Sequence, residues 1–299
     1  MIRLAALKIG FGVPERDFDS TVKAVFKNAL IVAVGDDGPV TLVAAEAGGL
    51  PGGITLDISG DIGFGRTIAV GARAAARAGI LRVAGGLTVD LRQAVAWRSG
   101  LNELVLDMDH VASRAAFEIA ATFLSAGDRV DRFLGIAAGP VAALVAATRE
   151  RRGPEAGAIA EKLVGLGEGG TPAGDDFLVG FIAALHAGAG RDASKAAFVA
   201  AFGSQLRANA HRTTDVSRVY LEAAVAGEVS EKLTRLAARI AEGGTPEEVA
   251  EVTGIAIAVG HTSGADGTLG LLAGVAAWGP EALLSMGRQA AGRSLLSIA

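Results

Sequence analysis

From about residue 109 onward the chain is a succession of alanine-rich segments, mostly 12 to 20 residues long, parted by short breaks at GDRVDR, RRGPEAG, GLGEGGTPAGDD, AGAGRD, NAHRTTD, AGEVS and EGGTP. Segments of that length between polar or glycine-bearing breaks predict the helices of a bundle. The first hundred residues read differently. In VKAVFKNALIVAV (22–34), Val22, Ala24, Phe26, Leu30, Val32 and Val34 alternate onto one face, and a DDGP turn then leads into VTLVAA as a hairpin. A second glycine turn, GGLPGG, precedes ITLDIS, and strand-like runs follow at RTIAVG and GILRVAGGLTVDL. Asp90 with Gln93 predicts a cap for a short helix, LRQAVAW. The expected fold is α+β: a β-rich amino-terminal domain over 1–108 followed by an α-helical domain over 109–299.

Composition narrows the chemistry. A net charge of −4 and a pI near 5.7 leave no basic footprint, which argues against nucleic acid and anionic membrane as partners. The longest uncharged stretch, FLGIAAGPVAALVAAT (133–148), is shorter than a span requires and contains Pro140, so no transmembrane helix is expected. The apolar patch near Met1 is too short for a signal-peptide core, and the expected location is the cytoplasm. Zero cysteines remove thiol nucleophiles, disulfides and cysteine-bound metals, and four histidines without an H-E-x-x-H leave a histidine metal cluster without support. Catalysis, if present, runs on carboxylates, hydroxyls, basic side chains and backbone amides.

The letters GGTP occur twice, and the second copy serves as a control for the first. In GGTPEEVAEV (243–252), Thr245 caps, Pro246 takes the first helical position and Glu248 completes a capping box. In GLGEGGTPAGDDFLVGF (165–181) the good helix formers give way to Gly174, and the acids become Asp175 and Asp176. Glycine in a helix interior costs about 1 kcal/mol relative to alanine. The stretch formally spells G-x-G-x-x-G, but it follows the helical AIAEKLV and not a strand, so it is no dinucleotide fingerprint. Two readings remain: the aspartates serve the helix dipole, or free amides at the helix start take an anion while the aspartates hold an amide group or a hard cation beside it.

Similar pairs of readings attach to other residues. His211, Arg212, Thr213 and Thr214 either cap the next helix or clamp a phosphate or carboxylate. GHTSGAD (260–266) offers His261, Ser263, Gly264 and Asp266, with His261 equally suited to packing. AGDDFLVG (173–180) and SGADGTLG (263–270) both read small, Gly, any, Asp, three residues, Gly, 90 residues apart, which predicts two helix starts facing one pocket; the alternative is chance similarity in a glycine-rich chain, with two unrelated caps. Asn28 falls on the apolar face of 22–34 and needs either a backbone partner or a ligand. His110, in DMDH, reads as part of a helix start.

GLGEGGTPAGDDFLVG, RTTDVSRVYLEAAVAGE and VGHTSGADGTLGLLAG, in this order and spacing, resemble the AllH family, and AVFKNALIV and LTVDLRQAVAW resemble its amino half. Gly170 stands where a leucine is usual, and Ala173 where a serine is usual. The resemblance implies a subunit of oxamate carbamoyltransferase that works with FdrA-like and AllG-like subunits in allantoin catabolism, moving a carbamoyl group from oxalurate to phosphate to give oxamate and carbamoyl phosphate. Such chemistry needs anion sites and donors for a tetrahedral oxyanion. On this reading Asp175, Asp176 and His261 are the catalytic candidates. Thr171, Gly174, Arg212, Thr213 and Thr214, with Asn28, Ser263, Gly264 and Asp266, bind a small anionic substrate of the phosphate or oxamate class. No cofactor is fixed; Mg2+ is the one candidate. The alternative is a non-catalytic subunit that binds a small anion or scaffolds a metabolic complex.

Overall fold

A computed structural model describes residues 2–60, 63–281 and 283, and the chain divides into two compact units, Met1–Ser99 and Gly100–Ala299. The two fold classes expected in sequence order are the ones found: strands in the first part, helices in the second.

The first unit contains β1 (Ile2–Gly10), β2 (Phe18–Val25), β3 (Ala29–Ala33), β4 (Pro39–Val43), β5 (Gly53–Leu56), β6 (Arg73–Arg77), β7 (Ile80–Val83), β8 (Leu87–Asp90) and β9 (Val95–Trp97). Their order is β5-β4-β3-β2-β6-β7-β8-β1, and β1 pairs back onto β5, so these eight strands close into a barrel; β9 adds to the far end of β1. Closure gives each of the eight two neighbours, leaving only the end of β1 past its pairing with β8 open to β9, and their inward residues, including Leu30, Leu42, Ile54, Leu56 and Leu81, are fully buried.

Three local expectations are corrected here. The run 22–34 is not one strand: a register shift between Val22 and Ala24 breaks the alternation, and the Phe26 amide bonds the Ala29 carbonyl to turn β2 into β3. Asn28 therefore sits exposed in that turn, and the buried unpaired amide that motivated it as a ligand contact does not exist. RTIAVG forms no strand, because a 3₁₀ turn at Phe64–Arg66 carries on through an Ile68 amide to Phe64 carbonyl bond. LRQAVAW forms no helix: the Asp90 carboxylate accepts the Arg92 amide at 3.0 Å and pairs with its guanidinium, and Val95–Trp97 joins β1 as β9. Seven residues are too few to offset helix nucleation when an open strand edge is adjacent.

The second unit holds α1 (Val111–Ser125), α2 (Asp131–Arg149), α3 (Gly153–Glu161), α4 (Ala173–Ala189), α5 (Ala193–Asn209), α6 (Asp215–Val225), α7 (Glu231–Glu242), α8 (Pro246–Ile257) and α9 (Ser263–Trp278). The sequence breaks fall between them, and several act as caps. Asp192 accepts from the amides of Ser194 and Lys195, Thr214 from Ser217, Ser230 from Leu233, and Thr245 with Glu248 closes the expected capping box of α8. His110 precedes α1 as its N-cap residue without a side-chain bond. α2 continues through Pro140 for 19 residues and is long and apolar enough, by length and composition, to cross a membrane, contrary to the expectation drawn from its proline. Its Phe133, Ala137, Val141 and Leu144 are buried in the helical core.

The centre of that core is the pair α4 and α9, which run side by side in the same direction. Gly180 abuts the Gly267 carbonyl so closely that a Cβ would collide with it, and Gly270 abuts the Phe177 carbonyl in the same way. Residue 177 corresponds to 267, and 180 to 270, at the 90-residue spacing of the sequence echo, so the crossing has local two-fold symmetry. Gly174 and Gly264 complete the pattern: each faces the carbonyl of the helix before it, Leu163 and Ala256, with no room for a side chain. The surroundings match in part: α3 packs on α2 and α5 while α8 packs on α7 and α1, but α8 also packs on α9. A chain of aromatic contacts from Phe133 through Phe177, Phe181, Phe202 and Phe198 to Trp278 lies along the pair.

Candidate functional site: paired helix starts

Because α4 and α9 are parallel and close, their first turns meet. The Thr171 and Ser263 hydroxyls lie 2.9 Å apart, bridging the two helix starts that the sequence echo placed in one pocket. Three carboxyl groups gather below that bridge, and they are not equivalent.

Asp175 is tied into the fold. One oxygen accepts the Gly165 amide at 2.8 Å, the other accepts the Thr213 hydroxyl, and Ser217 adds a further hydrogen bond. These bonds anchor the glycine-rich turn and the start of α6 to α4. Burial raises the pKa of Asp175, and the three donors oppose that rise.

Asp176 faces α9. Its pKa is pushed up to about 8, chiefly by burial and also by the negative charges of Asp266 and Asp175, against hydrogen bonds from Ser263 and Thr171. Its Oδ2 is buried with no partner. Asp266 holds the matching position on α9, is 1 % exposed, and has neither oxygen in a hydrogen bond. Burial pushes it up to about 6, and the Thr262 hydroxyl tempers the rise. The pair thus presents three orphaned carboxylate oxygens in one buried place, each costing about 1 to 3 kcal/mol or more unless something meets it.

The amides do not form the anion cradle that the sequence suggested. The Gly174 amide donates to the Leu166 carbonyl at 2.8 Å, and those of Asp175 and Asp176 donate to the Pro172 carbonyl. On α9, Gly264 donates to Val259 and Asp266 to Thr262. These first-turn donors, which would have met a phosphate, are already used within the chain. The space is lined by acceptors and hydroxyls, and such a lining takes hydrogen-bond donors or a cation.

The remaining candidates fall around this centre or away from it. Thr214 caps α6 and donates to the Gly170 carbonyl at 2.6 Å, so the α6 start is pinned to the glycine-rich turn. Arg212 is exposed and paired with the Glu161 carboxylate and carbonyl rather than directed at the aspartates. His261 is exposed; its carbonyl accepts from Arg129. Asn28 belongs to the barrel unit. Sequence reasoning missed Thr262 and Ser217, whose hydroxyls reach Asp266 and Asp175. Thr262 was findable from its place immediately before the second copy of the repeated pattern. Ser217 had no such signal. No group of three or more His, Cys, Asp or Glu suited to a metal occurs among the described residues, so any cation here would lean on two carboxylates plus hydroxyls.

These features define a helical unit with a buried carboxyl pair between two symmetric helix starts. The family described as "Oxamate carbamoyltransferase subunit AllH" matches residues 163–275, a stretch that runs from the end of α3 into α9 and contains both starts. No curated protein and no solved structure matches the chain.

Proposed function

We propose that this chain is the AllH-type subunit of an oxamate carbamoyltransferase, and that the joined first turns of α4 and α9 are where its small substrate binds. The observation that carries this reading is the buried Asp266 side chain beside half-buried Asp176, whose Oδ2 is buried, with three of their four carboxyl oxygens orphaned inside the family-matched segment. In the reaction a phosphate oxygen attacks the carbamoyl carbon of oxalurate, the carbon–nitrogen bond to the oxamate nitrogen breaks, and that nitrogen takes a proton. Oxalurate and oxamate carry N–H groups suited to acceptor-lined surroundings. The Thr171 and Ser263 hydroxyls, bonded to each other beside Asp176, orient that acceptor at the joined helix starts. Asp175, Thr213 and Thr214 act as positioning residues, holding the glycine-rich turn against α6. Arg212 and His261 lie at the exposed rim. The proposal includes FdrA-like and AllG-like partner subunits and a cytoplasmic setting.

The test is reconstitution: the purified chain with FdrA-like and AllG-like subunits, assayed for carbamoyl phosphate formed from oxalurate and phosphate. Activity that requires this chain, and falls at least about tenfold in kcat/KM for Asp266→Asn, a loss of about 1.4 kcal/mol of transition-state stabilisation, supports the reading. Full activity without the chain, or wild-type activity in Asp266→Asn, overturns it.

A further inference from the structure

The carboxyl pair asks for positive charge, and the described residues supply none. Charges that act on Asp176 come from Asp266 and Asp175, both negative, and no cationic side chain acts on either member of the pair. Arg212, the basic residue nearest in sequence to the α6 start, is engaged by Glu161. A neutral amide could meet some of the three orphaned oxygens, but it would leave in place the repulsion from Asp266 that helps hold Asp176 protonated up to about pH 8. A divalent cation removes that repulsion and meets the oxygens together.

The two-fold relation shows why Asp266 lacks a partner. Ser263, at the start of α9, hydrogen-bonds across to Asp176 on α4. The symmetric partner of Ser263 is residue 173, and the symmetric partner of Asp176 is Asp266. Position 173 is alanine, so the hydroxyl that would cross from α4 to Asp266 is missing, and both oxygens of Asp266 stay bare.

We infer that Asp176 and Asp266 hold one hard divalent cation, Mg2+ or Mn2+, between the first turns of α4 and α9, with hydroxyls of Thr171, Ser263 and Thr262 around it and water or substrate oxygen completing its coordination. The donor set is all oxygen, and one or two carboxylates with a ring of waters and substrate oxygens is how Mg2+ is commonly held. This deepens the proposed function and rests on that reading for its role: with the first-turn amides already bonded, a cation gives an anionic substrate its positive partner.

The experiment titrates the purified, metal-stripped full chain with Mn2+ by electron paramagnetic resonance and calorimetry, and with Mg2+ by thermal melting. One Mn2+ per chain, displaced by Mg2+, a melting temperature raised by either ion, and affinity lowered about tenfold or more in both Asp176→Asn and Asp266→Asn are expected. Absence of binding at millimolar Mn2+ in the wild-type chain overturns the inference without using any variant, as does binding that survives both substitutions. A cation bound by a chain that supports no carbamoyl transfer would refute the proposed function alone. Carbamoyl transfer undiminished in chelator would refute the cation alone.

Discussion

Asp176 and Asp266 stand at the same place in two helices that cross with two-fold symmetry. Yet two hydroxyls, one from the opposite helix start, lower the pKa of Asp176, whereas only Thr262 of its own helix start lowers that of Asp266, both of whose oxygens are buried and unpartnered. Backbone packing is held to the symmetry at Gly174 and Gly264, and again at Gly180 and Gly270, because a carbonyl blocks any side chain at each. Side chains outside those close backbone contacts have diverged: Asp175 corresponds to Ala265, and Ala173 to Ser263. The crossing constrains the frame, while the chemistry is free to differ between halves.

The largest effects should come from breaking the frame. Gly180→Ala and Gly270→Ala each drive a methyl into a carbonyl of the opposite helix, and each should destabilise the fold by about 3 kcal/mol, at the upper end of overpacking costs. Urea denaturation measures both, and a marked inequality would show that the two halves of the crossing are not mechanically equivalent. Asp175→Ala should follow at about 2 kcal/mol, since the Gly165 amide and the Thr213 and Ser217 hydroxyls lose their acceptor.

A smaller effect separates the two carboxyls by pH. Each has a folded-state pKa above the ordinary value of 3.8, so the folded chain binds protons that the unfolded chain releases. Their contribution is complete below about pH 4 and is lost as pH rises, through about 6 for Asp266 and about 8 for Asp176. Metal-free protein should therefore lose stability between pH 5 and 8, with a slope approaching about 1.4 kcal/mol per pH unit for each proton involved. Asp266→Asn should lessen the fall only below about pH 6, whereas Asp176→Asn should lessen it below pH 6 and remove it between about 6 and 8. Melting curves across this range check it, and a flat profile in the wild-type chain would contradict it.

How much of this the sequence disclosed depends on range. The helix segments, the α8 capping box and the echo at 173–180 and 263–270 were legible because caps, breaks and spacing are local signals. The meeting of the two echoes was also foreseeable, as a repeated pattern predicts a repeated environment. The fate of the Gly174 amide was not: its acceptor is the Leu166 carbonyl, and a glycine-rich turn carries no side-chain mark of where its carbonyls point. Asn28 was misplaced for a related reason. Alternation continued in the letters across a turn that the backbone makes at Phe26.

The smallest expected effect is the most selective. Ala173→Ser should supply the crossing hydroxyl that Asp266 lacks and stabilise metal-free protein by about 1 kcal/mol, the net worth of one hydrogen bond. In chemical denaturation the gain should vanish when combined with Asp266→Ala. Glu248→Gln, in the α8 control copy, should leave cation binding untouched.

Because both halves of the crossing lie in one chain, their sequences are inherited separately. In an assembly of two identical chains, any change at position 173 would appear at its mate as well, and a site on the dyad could only ever be symmetric. Covalent linkage lifts that restriction. One half can keep a serine while the other holds an alanine, so a ligand with two different ends, a carboxylate and an amide for instance, can be bound in one orientation only.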